Sequence, residues 1–255
     1  MTSLAVSKTD PARHRGLRVA LLDGFRLTGG TDAIPLPGGA ERLLAFLAMR
    51  HRAAGRLLVA GSLWADATGG HAYAALRSTL ARLTPACRAA LLVTPSSLEL
   101  APGVSVDLHD AQALAHRLLE AGPPAVADLS RQAVATLSAE LLPCWYEEWA
   151  LVEGEDWRQL RLHALEAVVA GLVRARRFGD ATAAAGVVVR ADPLRESAQT
   201  ALIRVHLAEG NRSEAVYAFD RFSRLLRVDL GLAPTPELRE LVGRSADRTT
   251  GSAAR

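Results

Sequence analysis

The hydrophobic period of this chain changes near Asp107, and that change constrains its architecture more than any single motif. Before it, short β-favouring runs alternate with amphipathic helical stretches; beyond it strand signals all but vanish. Residues 17–36, LRVALLDGFRLTGGTDAIPL, break at Asp23-Gly24 and at Thr28-Gly29-Gly30, the punctuation of a three-strand meander. From Gly39 onward ERLLAFLAMRHR places Leu43, Leu44, Phe46 and Leu47 on one apolar stripe, with Gly55 and its neighbours as a stop. LLVAGSLWAD supplies a second helix with Leu58, Leu63 and Trp64 on its buried side, and Thr68-Gly69-Gly70 turns into a third, HAYAALRSTLARL, over 71–83. LLVTPSSLELAPGVSVDL then resumes strand alternation around Pro95-Ser96-Ser97, a hairpin with an exposed tip. Three strands, three helices and a hairpin within one domain's length, 17–107, describe a winged helix-turn-helix.

The remainder, 108–244, reads as all helical. Ala/Leu-rich helices are expected over 108–121 and 124–140, separated by Gly122-Pro123-Pro124, followed by one long helix from about Trp149 to Arg177. RRFGDATAAAGVVVRADP and EGNRSEAVYAFDRFSRLL then repeat one plan, a short polar turn and an Ala-led amphipathic helix. Ala181 and Ala215 stand 34 residues apart, and the same shift superposes Val169 on Ile203, Val173 on Leu207 and Val188 on Phe222. That is the tetratricopeptide period, against which stands coincidence between Ala-rich helices. The fold class expected is therefore mainly α with a small β portion: a winged helix-turn-helix followed by an all-α tetratricopeptide-like domain. Disordered tails are expected at 1–16 and 245–255, where little is available to bury.

Charge is distributed unevenly. The chain of 255 residues carries +3 overall, but residues 1–106 hold 12 Lys+Arg against 6 Asp+Glu, and residues 107–255 hold 18 against 21. A basic module beside a mildly acidic one suits a nucleic-acid-binding domain joined to a protein-interaction domain, since clustered cations concentrate near phosphates. No apolar run approaches the roughly 18–20 residues of a spanning helix, and MTSLAVSKTDPARHR lacks a signal peptide's core, so a cytoplasmic protein without membrane contact is expected. Cys87 and Cys144, without metal spacing, read as two small buried or half-buried thiols.

The third helix is the most informative. At 100° steps Ala72, Tyr73, Leu76, Leu80 and Leu83 gather on one arc and His71, Ala75, Ser78 and Arg82 on the other, with Ala74 and Ala81 flanking and Arg77 and Thr79 on the shoulders. An outer face that merely solvates a helix carries Glu, Lys or Gln. This one carries small residues and cations, and no acid occurs between residues 67 and 98. Such a face suits a DNA groove: Ala lets the backbone approach, Arg makes bidentate contacts to guanine, Ser reaches base or phosphate, and carboxylates that would repel phosphates are missing. The competing reading is an Ala-rich helix packed on another protein surface. DNA-binding candidates are His71, Ala75, Arg77, Ser78 and Arg82 on this helix, Arg42 on the first helix, and Ser96 and Ser97 at the wing tip.

These stretches carry a family resemblance. ERLLAFLAMRHR, the Leu63-Trp64-Ala65-Asp66 helix end, AALRSTLARL and VSVDL in the first half, and LLPCWYEEWALVEGEDWRQLRLHALE, RADPLRESAQTALIRVHLAEGNRSEAVYAFDRFSRLL and DLGLAPTPELREL in the second, resemble the Streptomyces antibiotic regulatory protein family over roughly residues 17–243. The resemblance implies a winged helix of the response-regulator type followed by a bacterial transcriptional activator domain. It implies an activator of a secondary-metabolite gene cluster that binds promoter direct repeats in double-stranded DNA and contacts RNA polymerase; a homodimer on the DNA is a further possibility. Lacking a GxxxxGK[ST] phosphate loop, the chain resembles the family's short form, without the ATPase module of larger relatives. It departs from the usual pattern at Gly39, where relatives carry a base, at Glu41 and Ala75, where amides are common, and at Thr84-Pro85, where two arginines are common. A protein that touches one phosphate fewer has a salt slope of binding lower by about one unit. A second class of function therefore stays open, a tetratricopeptide-like interaction adaptor whose winged helix binds DNA weakly or not at all.

Other candidate sites are weaker. Glu147, Glu148, Glu153, Glu155 and Asp156 interleave with Trp145, Tyr146, Trp149 and Trp157, which reads first as core packing with a solvated acidic edge and second as a partner site on Trp145, Trp149 and Trp157. Seven histidines show no metal-binding spacing, and no nucleophile, base and orienter come together, so neither a metal, a cofactor nor an enzyme activity is expected. Arg174, Arg176 and Arg177 form a basic knot where a helix C-terminus favours cations, with a second nucleic-acid contact as the alternative.

Overall fold

The structure, a computed structural model, describes residues 16–37 and 39–250, the side chains of 244–250 excepted. The expected tails at 1–16 and 245–255 fall outside the described residues, apart from Gly16 and the end of the last helix. The chain folds as two compact units: residues up to 110 with 140–157, and residues 111–139 with 158 onward. The stretch 140–157, grouped by sequence with the helical half, is part of the first unit.

The first unit opens with the expected meander, β1 (Leu17–Ala20), β2 (Arg26–Gly29) and β3 (Asp32–Ala33). α1 (Ala40–Ala48), β4 (Ala54–Gly55), α2 (Arg56–Leu63), α3 (Gly69–Ala81), α4 (Pro85–Ala89), β5 (Leu91–Val93), β6 (Ser97–Leu100) and β7 (Ser105–Val106) follow. β7 lies parallel beside β1, giving the order β3-β2-β1-β7. The Asp107 carboxylate holds that edge, accepting from the backbone N–H groups of Leu21 at 2.8 Å and Leu22 at 3.3 Å. Beyond it Asp23 N–H donates to the Glu140 carbonyl at 2.7 Å and Leu142 N–H to that of Leu21 at 3.1 Å, which ties residues 140–142 to the same unit.

The second sheet has the order β4-β6-β5. β5 and β6 form the expected hairpin, with Val93 opposite Leu98, and β4 adds a third strand that two residues are too short to announce. Leu43, Leu44, Phe46 and Leu47 of α1, Val59 and Leu63 of α2, Leu76 and Leu80 of α3 and Leu98 of β6 are all buried. Leu58, expected on the buried side of α2, is instead 50% exposed, because Val59 and Ala60 turn inward there.

In the second unit the helix expected over 124–140 resolves into a 3-10 turn (Val126–Leu129) and the short α6 (Arg131–Ser138). The break is chemical: the Ser130 hydroxyl accepts from Ala133 N–H and starts a new helix. α5 (Asp107–Leu119) precedes this segment, and α7 (Glu148–Arg174), α8 (Phe178–Ala191), α9 (Glu196–Glu209), α10 (Arg212–Leu230) and α11 (Pro236–Thr250) follow. α8 packs on α9 and α9 on α10.

The 34-residue shift appears in the geometry of the second unit. Ala181 and Ala215, Val169 and Ile203, and Val188 and Phe222 are buried, while Val173 and Leu207 are both half-buried. The turns correspond as well: Arg177 N–H donates to the Leu172 carbonyl and Asn211 N–H to the His206 carbonyl, at 2.9 and 2.8 Å. The left-handed residue one position earlier is Arg176 (φ 58°) in one turn and Gly210 (φ 92°) in the other.

Candidate nucleic-acid interface

α3 begins at Gly69, after its N-cap Thr68, and buries Ala72, Leu76, Thr79 and Leu80. Beyond Gly69 and Gly70, its exposed residues are His71, Ala74, Arg77, Ser78, Ala81 and the terminal Arg82. A helical wheel puts Ala75 on the outer arc with His71, Ser78 and Arg82, and Thr79 on a shoulder. The helix is rotated from that expectation, with Ala75 half-buried, Thr79 buried, and Ala74, Arg77, Ser78 and Ala81 outward. Gly39 supplies the reason. It stands at φ 82° at the start of α1, and a Cβ there would lie 3.2 Å from the Thr79 hydroxyl, so backbone without a side chain lets Thr79 in.

The cations differ in what already holds them. Arg77 lies over the Tyr73 ring at 5.9 Å and makes no ion pair among the described residues. Arg82 caps its own helix, donating from Nε to the Ser78 carbonyl at 3.3 Å, a favourable place for a cation beside free carbonyls. His71 Nδ1 is 3.0 Å from the Thr68 hydroxyl at the helix start. Arg42 is held by its own unit: Nη2 donates to the Leu63 carbonyl at 2.9 Å and Nε lies 2.9 Å from Glu147. A phosphate at Arg42 would compete with that carboxylate.

Thr84-Pro85, read as the stop of the third helix, also begins another. Thr84 caps α4, its hydroxyl accepting from Cys87 N–H at 3.3 Å, and Pro85 occupies the first helical position. Arg88 of α4 reaches back, Nη1 to the Leu80 carbonyl at 3.5 Å, and adds a third arginine to the acid-free stretch.

At the wing the Thr94 hydroxyl accepts from the N–H groups of Ser96 at 3.3 Å and Ser97 at 2.9 Å, closing a tight tip. Ser97 is half-buried inside it, while Pro95 and Ser96 are exposed. Arg56, the first residue of α2, pins this tip: Nε donates to the Thr94 carbonyl and the backbone N–H to that of Ser96, both at 3.0 Å. Sequence reasoning passed over Arg56 and Arg88. Arg88 was visible as a cation within the acid-free stretch, whereas nothing local marked Arg56.

Trp145 and Trp149 are half-buried and stack into an aromatic group of the first unit. Trp145 stands 6.3 Å from Phe25 and 5.8 Å from Trp149, which meets Phe46 edge-on at 5.4 Å, and Trp157 is buried. Cys87 is buried, and Cys144, expected to be at least half-buried, is exposed. Among the described residues no group of three or more His, Cys, Asp or Glu could hold a metal ion, and no helix is long and apolar enough to cross a membrane.

Residues 106–244 match the model of the bacterial transcriptional activator domain. The regulatory protein AfsR of Streptomyces coelicolor is 30% identical over 225 residues, covering 82% of this chain, which in turn spans 22% of that relative's length. Among solved structures, Mycobacterium tuberculosis EmbR in complex with a low-affinity phosphopeptide is similar in fold, with a TM-score of 0.67 at 23% identity over 92% of this chain and 66% of that one. A basic winged helix joined to stacked helix pairs, matched over more than half its length by the activator-domain model, places this chain in the Streptomyces antibiotic regulatory protein family of DNA-binding transcriptional regulators.

Proposed function

We propose that the chain is a sequence-specific activator of a secondary-metabolite gene cluster, acting in the cytoplasm on promoter direct repeats and contacting RNA polymerase through its helical half. α3 enters the major groove. Arg77 and Ser78 read base edges, Ala74, Ala75 and Ala81 allow the approach, His71 and Arg82 position the helix on phosphates, and Ser96 with Ser97 of the wing touch backbone. The observation that carries this reading is the exposed face of α3, which combines small residues with arginine inside a stretch free of carboxylates. Mobility-shift titrations on the regions upstream of neighbouring genes test it. An Arg77→Ala, Arg82→Ala double variant should weaken binding, relax sequence selectivity through the loss of Arg77 and lower the salt slope by about one unit through the loss of Arg82. Equal binding of variant and wild type at low salt would sink the assignment of α3.

A second reading is favoured by the internal engagement of Arg42 and Arg82. On that reading the chain is a tetratricopeptide-like adaptor with a winged helix that binds DNA weakly. A retained protein partner, together with no salt-sensitive shift on any tested DNA, would select it over the first.

A further inference from the structure

Arg56 opens α2 where the wing returns to the first unit, and the wing tip is fastened to it twice. Its backbone N–H donates to the Ser96 carbonyl and its Nε–H to the Thr94 carbonyl, both at 3.0 Å. β4, immediately before it, pairs with β6, and Gly55 stands opposite Ser97. Both tip carbonyls are thus spent on α2, and Pro95 and Ser96 are exposed at the end of the wing.

What Arg56 has left over is a fork. A guanidinium carries five N–H donors, and the Thr94 carbonyl takes only the one on Nε. Among the described residues Nη1 and Nη2 have no hydrogen-bond partner, and the side chain forms no ion pair. Neither Nη atom is buried, so the fork is open to solvent although the residue as a whole is half-buried. A carbonyl holds the guanidinium without neutralising it. Arg42 differs in this respect, because its Nε is committed to the Glu147 carboxylate. The sequence around Arg56 adds little negative charge: between Glu41 and Glu99 the only acid is Asp66.

We propose that Arg56 is a ligand for a phosphate of the DNA backbone, gripping it from the junction of α2 and the wing while Nε keeps the tip in place. The inference rests on the DNA-binding reading above and adds a contact outside α3. A guanidinium already held at Nε has less side-chain freedom to lose on binding, and its paired N–H groups match two phosphate oxygens. Since α2 packs on α3, a phosphate held at Arg56 sets the wing and the base-reading helix on one stretch of backbone.

The test uses the full chain and a duplex that the wild type selects from random-sequence DNA. Binding is read by salt titration and by ethylation interference, in which ethylating a phosphate that the protein touches weakens binding. Arg56→Gln keeps an N–H for the Thr94 carbonyl and removes the charge and the fork. It should lower the salt slope by about one unit and end the interference at the phosphate Arg56 holds, the other interfering positions staying as they were. Arg56→Lys, which keeps the charge, should restore the slope. Arg56→Met, with no donor at all, should match the Gln variant; all three keep the backbone bond to Ser96. Thr94→Val removes the hydroxyl that accepts from Ser96 and Ser97 N–H, so it should speed hydrogen exchange of those amides in the absence of DNA and leave slope and interference unchanged. Salt-sensitive binding by the wild type, with Arg56→Gln keeping the full slope and every interfering phosphate, overturns the role of Arg56 and leaves the assignment of α3 standing. Loss of the same phosphate in Thr94→Val gives that contact to the wing tip and overturns the role as well. A wild type that selects no DNA removes the DNA-binding reading and this inference with it.

Discussion

Gly210→Ala isolates one backbone conformation from every other influence on the stability of the second unit. Gly210 ends α9 at φ 92°, with its N–H directed at the Leu207 carbonyl, 3.2 Å away, and the following Asn211 N–H at that of His206. A Cβ built at this position meets nothing within 4 Å, so the substitution creates no collision and removes no packing. What remains is the intrinsic penalty of the left-handed region for a residue with a Cβ, about 1–2 kcal/mol, offset in part by the reduced freedom of Ala in the unfolded chain, roughly 0.4–1 kcal/mol. A net loss of about 1 kcal/mol follows, which lowers Tm by about 2–4 °C for a chain of this size. Urea and thermal unfolding followed by circular dichroism would measure it, and an unchanged m-value would show that the compactness of the unfolded state has not changed. The corresponding position of the preceding turn holds Arg176 at φ 58°, so Arg176→Gly should move stability upward by as much as about 1 kcal/mol. Should Gly210→Ala prove neutral, the left-handed turns contribute nothing and the reasoning about both positions fails.

Leu76→Ala, at a fully buried position of α3, should cost about 2–5 kcal/mol in urea unfolding; a loss under about 1 kcal/mol would mean that the α3 core is not packed as described. Burial, with the neighbouring His51 4.1 Å away between ring centroids, lowers the His109 pKa below 6.5. The folded form therefore disfavours the imidazolium, the unfolded chain takes the proton first as pH falls, and stability present above 6.5 is lost as pH falls through the folded pKa. His109→Gln should flatten the dependence of urea midpoint on pH between about 7.5 and 5.5, and parallel curves for variant and wild type would remove His109 as its source. The raised Glu153 carboxyl acts oppositely, contributing stability that is lost as pH rises from 4.5 through its folded pKa, so Glu153→Gln should raise the urea midpoint at pH 7.

Features that depend on neighbours along the chain were legible. The long α7, the hairpin of β5 and β6 and the 34-residue repeat all follow from hydrophobic period and turn residues, which act over a few positions. Features that depend on contacts distant in sequence were not. The rotation of α3 comes from Thr79 settling against Gly39, forty residues away, and no wheel drawn on residues 71–83 contains that contact. Residues 140–142 join the first unit through backbone bonds to Leu21 and Asp23 that leave no side-chain pattern. α4 was legible but misread: Thr-Pro is a helix-start signal as much as a stop, and the cap on Cys87 N–H decides it. Within the candidate interface the residue types were legible while their engagement was not, since the Arg42 pairing with Glu147 spans more than a hundred residues.

The side chains that α3 leaves unengaged bear on how selectivity for a promoter would arise. Arg82 gives its Nε–H to its own helix end and His71 its Nδ1 to Thr68 at the helix start, so Arg77 and Ser78 are the exposed polar side chains of α3 without a hydrogen bond to their own helix end, and they are placed to read base edges. One bidentate arginine discriminates by about 1–3 kcal/mol, whereas specific sites are separated from bulk DNA by about 4–10 kcal/mol. A single copy reading through so few side chains falls short of that separation. Two copies on adjacent direct repeats add their discrimination, and contacts between copies would make the second site easier to fill than the first. The small-residue face and the direct-repeat proposal are therefore linked: a helix that gains close approach by giving up long side chains needs repetition along the DNA to recover selectivity. Binding to a fragment carrying one repeat should accordingly be weaker and far less sequence-selective than binding to two repeats in phase, and equal selectivity on one and two repeats would break that link.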